Sequence, residues 1–211
     1  MKVYSRTLGR KVRITTLKRS ALYSEELNID LRRAEDGELF KWFLASILFG
    51  TRITETIAKN TYQSFERHHL LDPRKIIEDG WDFLVNPVMR EGGYVRYDEK
   101  TSTKILRICQ TLFAEYGGSL KTLHEKSTDS DDLEARVMQF YGVGPVTMNV
   151  FLRELRPFLR KSNPEPLPVV KELARKYGIN LDQYDRKSLT FVRIEAGLIR
   201  LRKTAKNPSI P

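Results

Sequence analysis

The stretch from Phe140 to Phe151, which reads FYGVGPVTMNVF, constrains this chain more than any other. Apolar residues spaced three and four apart before it predict a helix that ends near Phe140. Gly142 and Gly144 allow a tight turn, and Pro145 stands at the first position of a second helix, where its missing N–H costs nothing. Such a helix start presents free backbone amides at a positive helix end, where a phosphate can bind. An ordinary helix–turn–helix corner capped by glycine would produce the same two helices.

Composition favours a basic protein with a substantial core. The 211 residues are 40% hydrophobic, which is enough for one large domain or two lobes. Lys and Arg number 37 against 27 Asp and Glu, so the net charge is +10 and the pI is about 9.7. This balance favours a polyanionic partner, with nucleic acid ahead of a membrane, although it also serves simple solubility.

Cys109 is the only cysteine and lies within an apolar helical pattern, so we expect a buried thiol. One cysteine excludes a disulfide within the chain and any cluster held by several thiolates. We expect an intracellular protein, either cytoplasmic and associated with the nucleoid or nuclear. The longest apolar run, from Trp42 to Phe49, is too short to span a bilayer, and no signal peptide is recognisable, so we expect no membrane partner.

Periodicity and capping residues predict an all-α chain. Thr54 and Asp72 are candidate helix caps, Asp131 is the candidate cap of the first hairpin helix, and Gly117 is a candidate stop. Residues 1–20 could form a small strand hairpin or a flexible arm, 86–96 reads as a loop, and 120–124 as a short turn. The predicted helices are Glu38–Phe49, Thr54–His68, Pro73–Leu84, Glu99–Tyr116, one that ends before Gly178, and Lys187–Lys203.

The Gly-Val-Gly turn, followed by a helix-starting proline and by Thr147 and Asn149 on an apolar helix, resembles the hairpin of the helix-hairpin-helix DNA glycosylase superfamily that includes endonuclease III. The resemblance covers roughly Leu39 to Leu173. It implies a two-lobed helical bundle with a DNA groove between the lobes. One lobe would be residues 37–145, the other would combine 1–36 with 146–205, and 206–211 would be a disordered tail.

The resemblance further implies a monomeric DNA-repair N-glycosylase. Such an enzyme flips a damaged or mismatched base out of double-stranded DNA and cleaves its bond to the sugar. We expect no metal and no cofactor. The superfamily's nucleophilic lysine corresponds here to Val146, which implies a monofunctional enzyme unless a lysine elsewhere, such as Lys161 or Lys171, replaces it.

The catalytic candidates lie in the connection after the second hairpin helix. The superfamily has an aspartate near this place, and the matching region here contains no aspartate. Glu165 is its only carboxylate, and Asn163 is the other residue that could occupy the aligned position. A carboxylate there would stabilise the cationic sugar or activate water, whereas an amide would do neither well.

Several residues are candidate DNA contacts by the same resemblance. In the hairpin they are Gly142, Gly144, Val146 and Thr147, with Arg153 extending the surface. Arg52 would fill the gap left by the extruded base, or lie on a surface loop. Tyr94 and Tyr97 would stack on DNA, or anchor their loop on the core. Lys100 and Lys104 would bind phosphates, or form a solvated helix face.

Two other functions stay open at this stage. The missing aspartate and lysine favour a DNA-binding module that shares the fold without catalysing a reaction. A lyase that acts on abasic sites through a displaced lysine is the third possibility.

Overall fold

The computed structural model describes residues 12–206, with side chains as far as Arg202, and it contains helices and no strand in that range. The predicted all-α fold is therefore confirmed for this part of the chain. None of its helices has both the length and the apolar content needed to cross a membrane. The α-helices are α1 (Ile14–Leu17), α2 (Tyr23–Glu26), α3 (Asp36–Phe49), α4 (Glu55–Arg67), α5 (Pro73–Phe83), α6 (Asp98–Tyr116), α7 (Leu120–Lys126), α8 (Ser130–Gln139), α9 (Pro145–Leu155), α10 (Pro168–Lys176) and α11 (Leu189–Lys206).

The described residues divide into two compact units. The hairpin unit runs from Tyr23 to Glu165. The terminal unit comprises the described residues up to Leu22 and those from Pro166 onward. Its two segments are thus bounded at 22 and 166, whereas the sequence analysis set the lobe boundaries at 36 and 146.

The core of the hairpin unit is built on α3 and α9. Nine residues of α3, from Leu39 to Leu48, are buried. The indole Nε1 of Trp42 donates to the carbonyl of Phe151 over 2.9 Å, and the Phe43 ring lies 4.7 Å from that of Phe151 and 5.4 Å from that of Phe140. These contacts join the first long helix to both sides of the glycine turn.

Local capping signals place most helix ends where they were expected. Thr54 accepts from the Ile57 amide at 3.2 Å, and Asp72 accepts from the Arg74 amide at 2.7 Å. Gly117, with a φ of 62°, ends α6. The predicted cap of α8 at Asp131 is wrong by two residues, because the Asp129 carboxylate accepts from the Asp132 amide at 2.9 Å and the helix begins at Ser130.

Two segments predicted as irregular contain helix, one in part and one throughout. A π-helix that spans Leu84–Met89, with a non-helical conformation at Asn86, overlaps the first residues of the predicted loop at 86–96 and buries Leu84, Val88 and Met89. The predicted turn at 120–124 is part of α7, whose Leu120 and Leu123 are buried. In both cases burial of apolar side chains outweighs the loop-like composition.

The terminal unit packs α1, α10 and α11 around a small core formed by Leu17, Val170, Leu173, Ala174, Ile194 and Leu198. A Cβ on Gly197 of α11 would lie 2.7 Å from Leu17 Cδ2 and 2.5 Å from Ser20 Oγ, so α1 approaches α11 closely because that position is glycine. Residues 14–17 are helical, which corrects the strand alternative for that stretch. Residues 1–11 and the predicted tail at 207–211 lie outside the described residues.

Cys109 lies on the buried face of α6, as predicted. Burial in apolar surroundings raises the pKa of its thiol well above the ordinary value. The side chain is therefore a protonated, inert part of the core at neutral pH.

Gly50 provides a test of how tightly α3 and α9 pack. A Cβ at this position would overlap the hydroxyl of Thr147 and lie 3.0 Å from the Thr147 Cβ. We expect Gly50→Ala to lower the free energy of unfolding by about 1–3 kcal/mol in urea titrations. Adding Thr147→Ala should recover part of that loss, since it removes the hydroxyl.

The control is Gly37→Ala in the first turn of the same helix, where a Cβ would meet nothing within 4 Å. Alanine is the better helix former, so stability should stay constant or rise by up to about 1 kcal/mol. Equal effects of the two substitutions would contradict close packing at Gly50.

Candidate nucleic-acid interface

Between α8 and α9 the chain turns within five residues, Phe140 to Gly144. The amide of Val143 donates to the carbonyl of Phe140 at 3.0 Å, and Gly142 adopts the left-handed conformation with a φ of 72°. Gly144 is the N-cap of α9 and Pro145 is its first residue. The helix therefore starts with unpaired backbone amides, which is the electrostatic condition for binding an anion.

The first turn of α9 is at the surface, and the rest of the helix is inside. Val146 is 50% exposed, whereas Thr147 is 3% exposed and packs against Gly50. The Thr147 side chain therefore contributes to the packing of α9 against the end of α3. Only the backbone amide of this residue is part of the start of α9. Arg153 is also buried, with its guanidinium 5.6 Å from the centre of the Tyr23 ring, so it does not extend the surface as expected.

One face of α6 carries three cations next to the hairpin. Lys100, Lys104 and Arg107 are spaced four and three residues apart, so they share one helix face. We call these three residues the α6 strip. A Cβ on Gly142 would come within 3.3–3.4 Å of the aliphatic stem of Lys104, and the Arg107 guanidinium lies 4.4 Å from the centre of the Tyr141 ring. The hairpin turn therefore rests directly on the strip.

Four of the predicted DNA contacts meet in one open pocket of about 270 Å³. Arg52 reaches it from the turn after α3, Tyr97 from the residue before α6, and Lys100 and Lys104 from α6 itself. Thr51 and Thr101 complete the lining. The sequence analysis identified Arg52, Tyr97, Lys100 and Lys104 separately, and the fold brings them together.

All the charged residues that line this pocket are cations. Its lining residues include three cations and no carboxylate, and partial burial lowers the pKa of Lys104. By contrast, a larger cavity of about 500 Å³ is lined by both signs of charge, and there Arg32 pairs with Asp30 at 2.6 Å. The smaller pocket is thus the better anion site.

Tyr97 is held in an unusual backbone conformation at the pocket. Its φ of 73° lies in the left-handed region, which is uncommon for residues other than glycine, asparagine and aspartate. The residue is 40% exposed, and the Arg96 guanidinium lies 5.0 Å from the centre of its ring. Backbone strain of this kind persists where the surrounding structure imposes it, often at binding sites. Tyr94, the other aromatic candidate, is 1% exposed and pairs its hydroxyl with Thr101 at 2.9 Å, so it anchors the loop on the core.

The catalytic candidates lie outside this pocket's lining. Glu165 is exposed, and its main-chain carbonyl accepts from the buried Asn149 side chain at 2.7 Å. Asn163 is half-buried. Next to it, the carbonyl of Pro164 accepts from the Arg156 guanidinium. Buried side chains of α9 and of the residue following it therefore hold the main chain of this connection.

The two displaced-lysine candidates have different surroundings. Lys161 donates to the carbonyls of His124 at 2.8 Å and of Glu125 at 3.1 Å, and also to that of Ser127. Its amine therefore caps the C-terminal end of α7 and has a structural role. Lys171 lies on the exposed side of α10 in the terminal unit.

Sequence reasoning missed two parts of the site. Arg107 was not singled out, although its spacing from Lys100 and Lys104 could have placed it on their face. Its partner Tyr141 could have been suspected only as an aromatic residue inside the hairpin. The role of Asn149 in holding residue 165 has no local signal, because it joins residues sixteen apart through tertiary structure.

Comparison with models of known protein families finds none that matches this chain, and comparison with curated proteins finds no match either. The functional proposal therefore rests on the chemistry of the start of α9, the α6 strip and the adjoining pocket.

Proposed function

We propose that this protein is a DNA-repair N-glycosylase that binds duplex DNA and extrudes a damaged or mismatched base. The observation that carries the proposal is the convergence of Arg52, Tyr97, Lys100 and Lys104 in one pocket beside the hairpin. An aromatic ring among cations, without a carboxylate, suits a nucleotide, which presents a flat base and an anionic phosphate.

Phosphates of the backbone would bind at two neighbouring places. The start of α9 offers backbone amides and a positive helix end, and the α6 strip offers three side-chain cations. Because the Lys104 stem contacts the hairpin turn, both places are parts of one surface. Contacts of this kind fix the position of DNA without reading its sequence.

The pocket would receive or flank the extruded nucleotide. Its volume of about 270 Å³ is just below the range of roughly 300–1,000 Å³ typical for small-molecule sites, which fits one nucleotide rather than several. Tyr97 would stack on a base, and Arg52 would donate to the bases near the gap.

Catalysis is assigned to Glu165 by the family resemblance. Its main chain is held by Asn149, and the residue is exposed. The carboxylate would stabilise the positive charge that develops on the sugar or accept a proton from the attacking water. Val146 at the nucleophile position makes hydrolysis without strand cleavage the expected reaction.

A non-catalytic DNA-binding module is the second candidate. It is favoured by one specific observation, namely that no carboxylate lines the cationic pocket. The two candidates share the DNA surface and differ only in the role of Glu165.

Salt dependence tests the DNA surface. With roughly five phosphate contacts, the logarithm of the binding constant for a lesion-free duplex should fall with the logarithm of salt concentration with a slope of about −4 to −5. Fluorescence anisotropy between 50 and 300 mM KCl would measure it. A slope near zero would contradict nucleic-acid binding through phosphates.

Lys104→Met tests the α6 strip while keeping an aliphatic stem over Gly142. Loss of one phosphate contact should weaken duplex binding about tenfold at 0.1 M salt and reduce the salt slope by about 0.9. Lys75→Met is the matched control, since Lys75 is an exposed lysine of the same unit paired with Glu78 at 2.9 Å. Equal binding by both variants would exclude Lys104 from the interface.

Glu165→Gln tests catalysis. The near-isosteric amide keeps packing and removes the negative charge, so affinity for lesion DNA should persist while base release in single-turnover assays slows about 10²–10⁴-fold. Asn163→Ala is the internal comparison and should retain activity. Base release by Glu165→Gln at the wild-type rate would refute the assignment, and absence of release by the wild type over a broad lesion panel would favour the non-catalytic module.

A further inference from the structure

The net positive charge of this protein is confined to its terminal segments. Residues 23–165, which form the hairpin unit, contain 20 Lys and Arg against 23 Asp and Glu, a net charge of −3. The remaining residues, 1–22 and 166–211, contain 17 against 4, a net charge of +13. A protein with a net charge of +10 thus carries its proposed recognition site on a slightly acidic unit.

Within the hairpin unit, carboxylates neutralise many of the cations. Lys59 contacts both Glu26 at 2.7 Å and Glu55 at 2.8 Å, and Arg136 contacts Asp132 at 3.0 Å. Further pairs involve Arg32, Lys41, Arg67 and Lys75. The α6 strip and Arg52 therefore provide a local cationic patch on a surface whose long-range field is weak.

The terminal unit differs in this respect. Arg13, Lys18, Arg19, Arg175 and Lys176 are exposed, and none of these five forms an ion pair with a carboxylate among the described residues. They belong to α10 or adjoin α1, and both helices bury apolar residues in the shared core. Two ammonium groups lie near rings of the same unit, Lys18 at 4.9 Å from the centre of Tyr184 and Lys176 at 5.9 Å from that of Tyr177.

Hydroxyl donors accompany the cations near α1. Thr15, Thr16, Arg19 and Ser20 line an open pocket of about 400 Å³. Hydroxyl and guanidinium groups are common donors to the phosphate oxygens of nucleic acids. The unit therefore offers donors as well as net charge.

The described residues of the same unit do not form a broad apolar surface of the kind that binds membranes. Leu189, at 38% exposure, is the one large hydrophobic side chain that counts as exposed within its described residues. Insertion into a bilayer interface needs a broad apolar face beside the cations. A polyanion that binds by charge and hydrogen bonds alone, such as the phosphodiester backbone, fits the unit better.

We propose that the terminal unit is the principal phosphate-binding surface of this protein, holding the nucleic-acid backbone independently of sequence through Arg13, Lys18, Arg19, Arg175 and Lys176. The inference rests on the proposed function in that DNA is the polyanion. Under this proposal the terminal unit supplies most of the affinity and of its salt dependence, while the hairpin unit recognises the local structure of the bound duplex.

The test compares two full-length variants with equal loss of charge. In the first, the five named residues of the terminal unit are replaced by Gln. In the second, five exposed cations of the hairpin unit away from the α6 strip are replaced by Gln, namely Arg33, Arg67, Lys75, Arg90 and Lys121. Both lower the net charge from +10 to +5. Circular dichroism melting checks folding, and a third variant that exchanges Lys for Arg and Arg for Lys at the first five positions preserves charge.

The readouts are affinity for a lesion-free duplex against salt and affinity for phosphatidylserine vesicles. We expect the terminal-unit variant to lose about 10³-fold in duplex affinity at 0.1 M salt and about 3 units of salt slope, which corresponds to the loss of about three of the roughly five phosphate contacts at about 0.9 each. The hairpin-unit variant should lose less than one unit of slope, and the charge-preserving variant should match the wild type.

Each alternative outcome is distinct. Equal loss in the two Gln variants would overturn the inference and leave the proposed function standing. Absence of salt-dependent duplex binding by the wild type would instead refute the proposed function. Tighter binding to the vesicles than to the duplex would reassign the terminal unit to anionic membranes.

Discussion

Burial of α9 on all sides beyond its first turn is the constraint on which the hairpin unit depends. Every residue from Thr147 to Leu155 is buried, so the helix passes through the core with its polar side chains inside. Such groups destabilise a core unless they find partners. Glu154 accepts from the amides of Tyr23 at 3.2 Å and Ser24 at 3.1 Å, and burial raises the pKa of its carboxyl. The helix thereby determines where the short helix α2 begins.

The same helix also connects the surface features on which the proposed function rests. Its first turn is the exposed start of the second hairpin helix. Asn149, one turn further, holds the main chain of residue 165. The carbonyl of Leu152 accepts from Ser162 at 2.6 Å, which fastens the returning connection along the helix. A change that shifts α9, such as a side chain at Gly50, would therefore move the anion site and the candidate carboxylate together.

Local chemistry explains which parts of this fold could be predicted from the sequence. Thr54, Asp72 and Gly117 mark helix ends through bonds to near neighbours, so periodicity and capping rules located them. Arg153 could not be placed in this way, because the ring beside its guanidinium belongs to Tyr23, which is distant in sequence. The burial of Tyr94 likewise depends on packing rather than on a capping pattern. The candidate contacts Arg52, Tyr97, Lys100 and Lys104 were identified one by one, but only tertiary packing reveals that they share a pocket.

The single thiol of Cys109 has a practical consequence for studying this molecule. Because it is buried and protonated, maleimide reagents should leave the native protein unmodified. A cysteine introduced at an exposed position would then be the one reactive thiol, and no native residue would have to be removed first. A fluorophore or spin label could thus be attached to one chosen unit at a time, and the proposed extrusion of a base could be tested without altering the core.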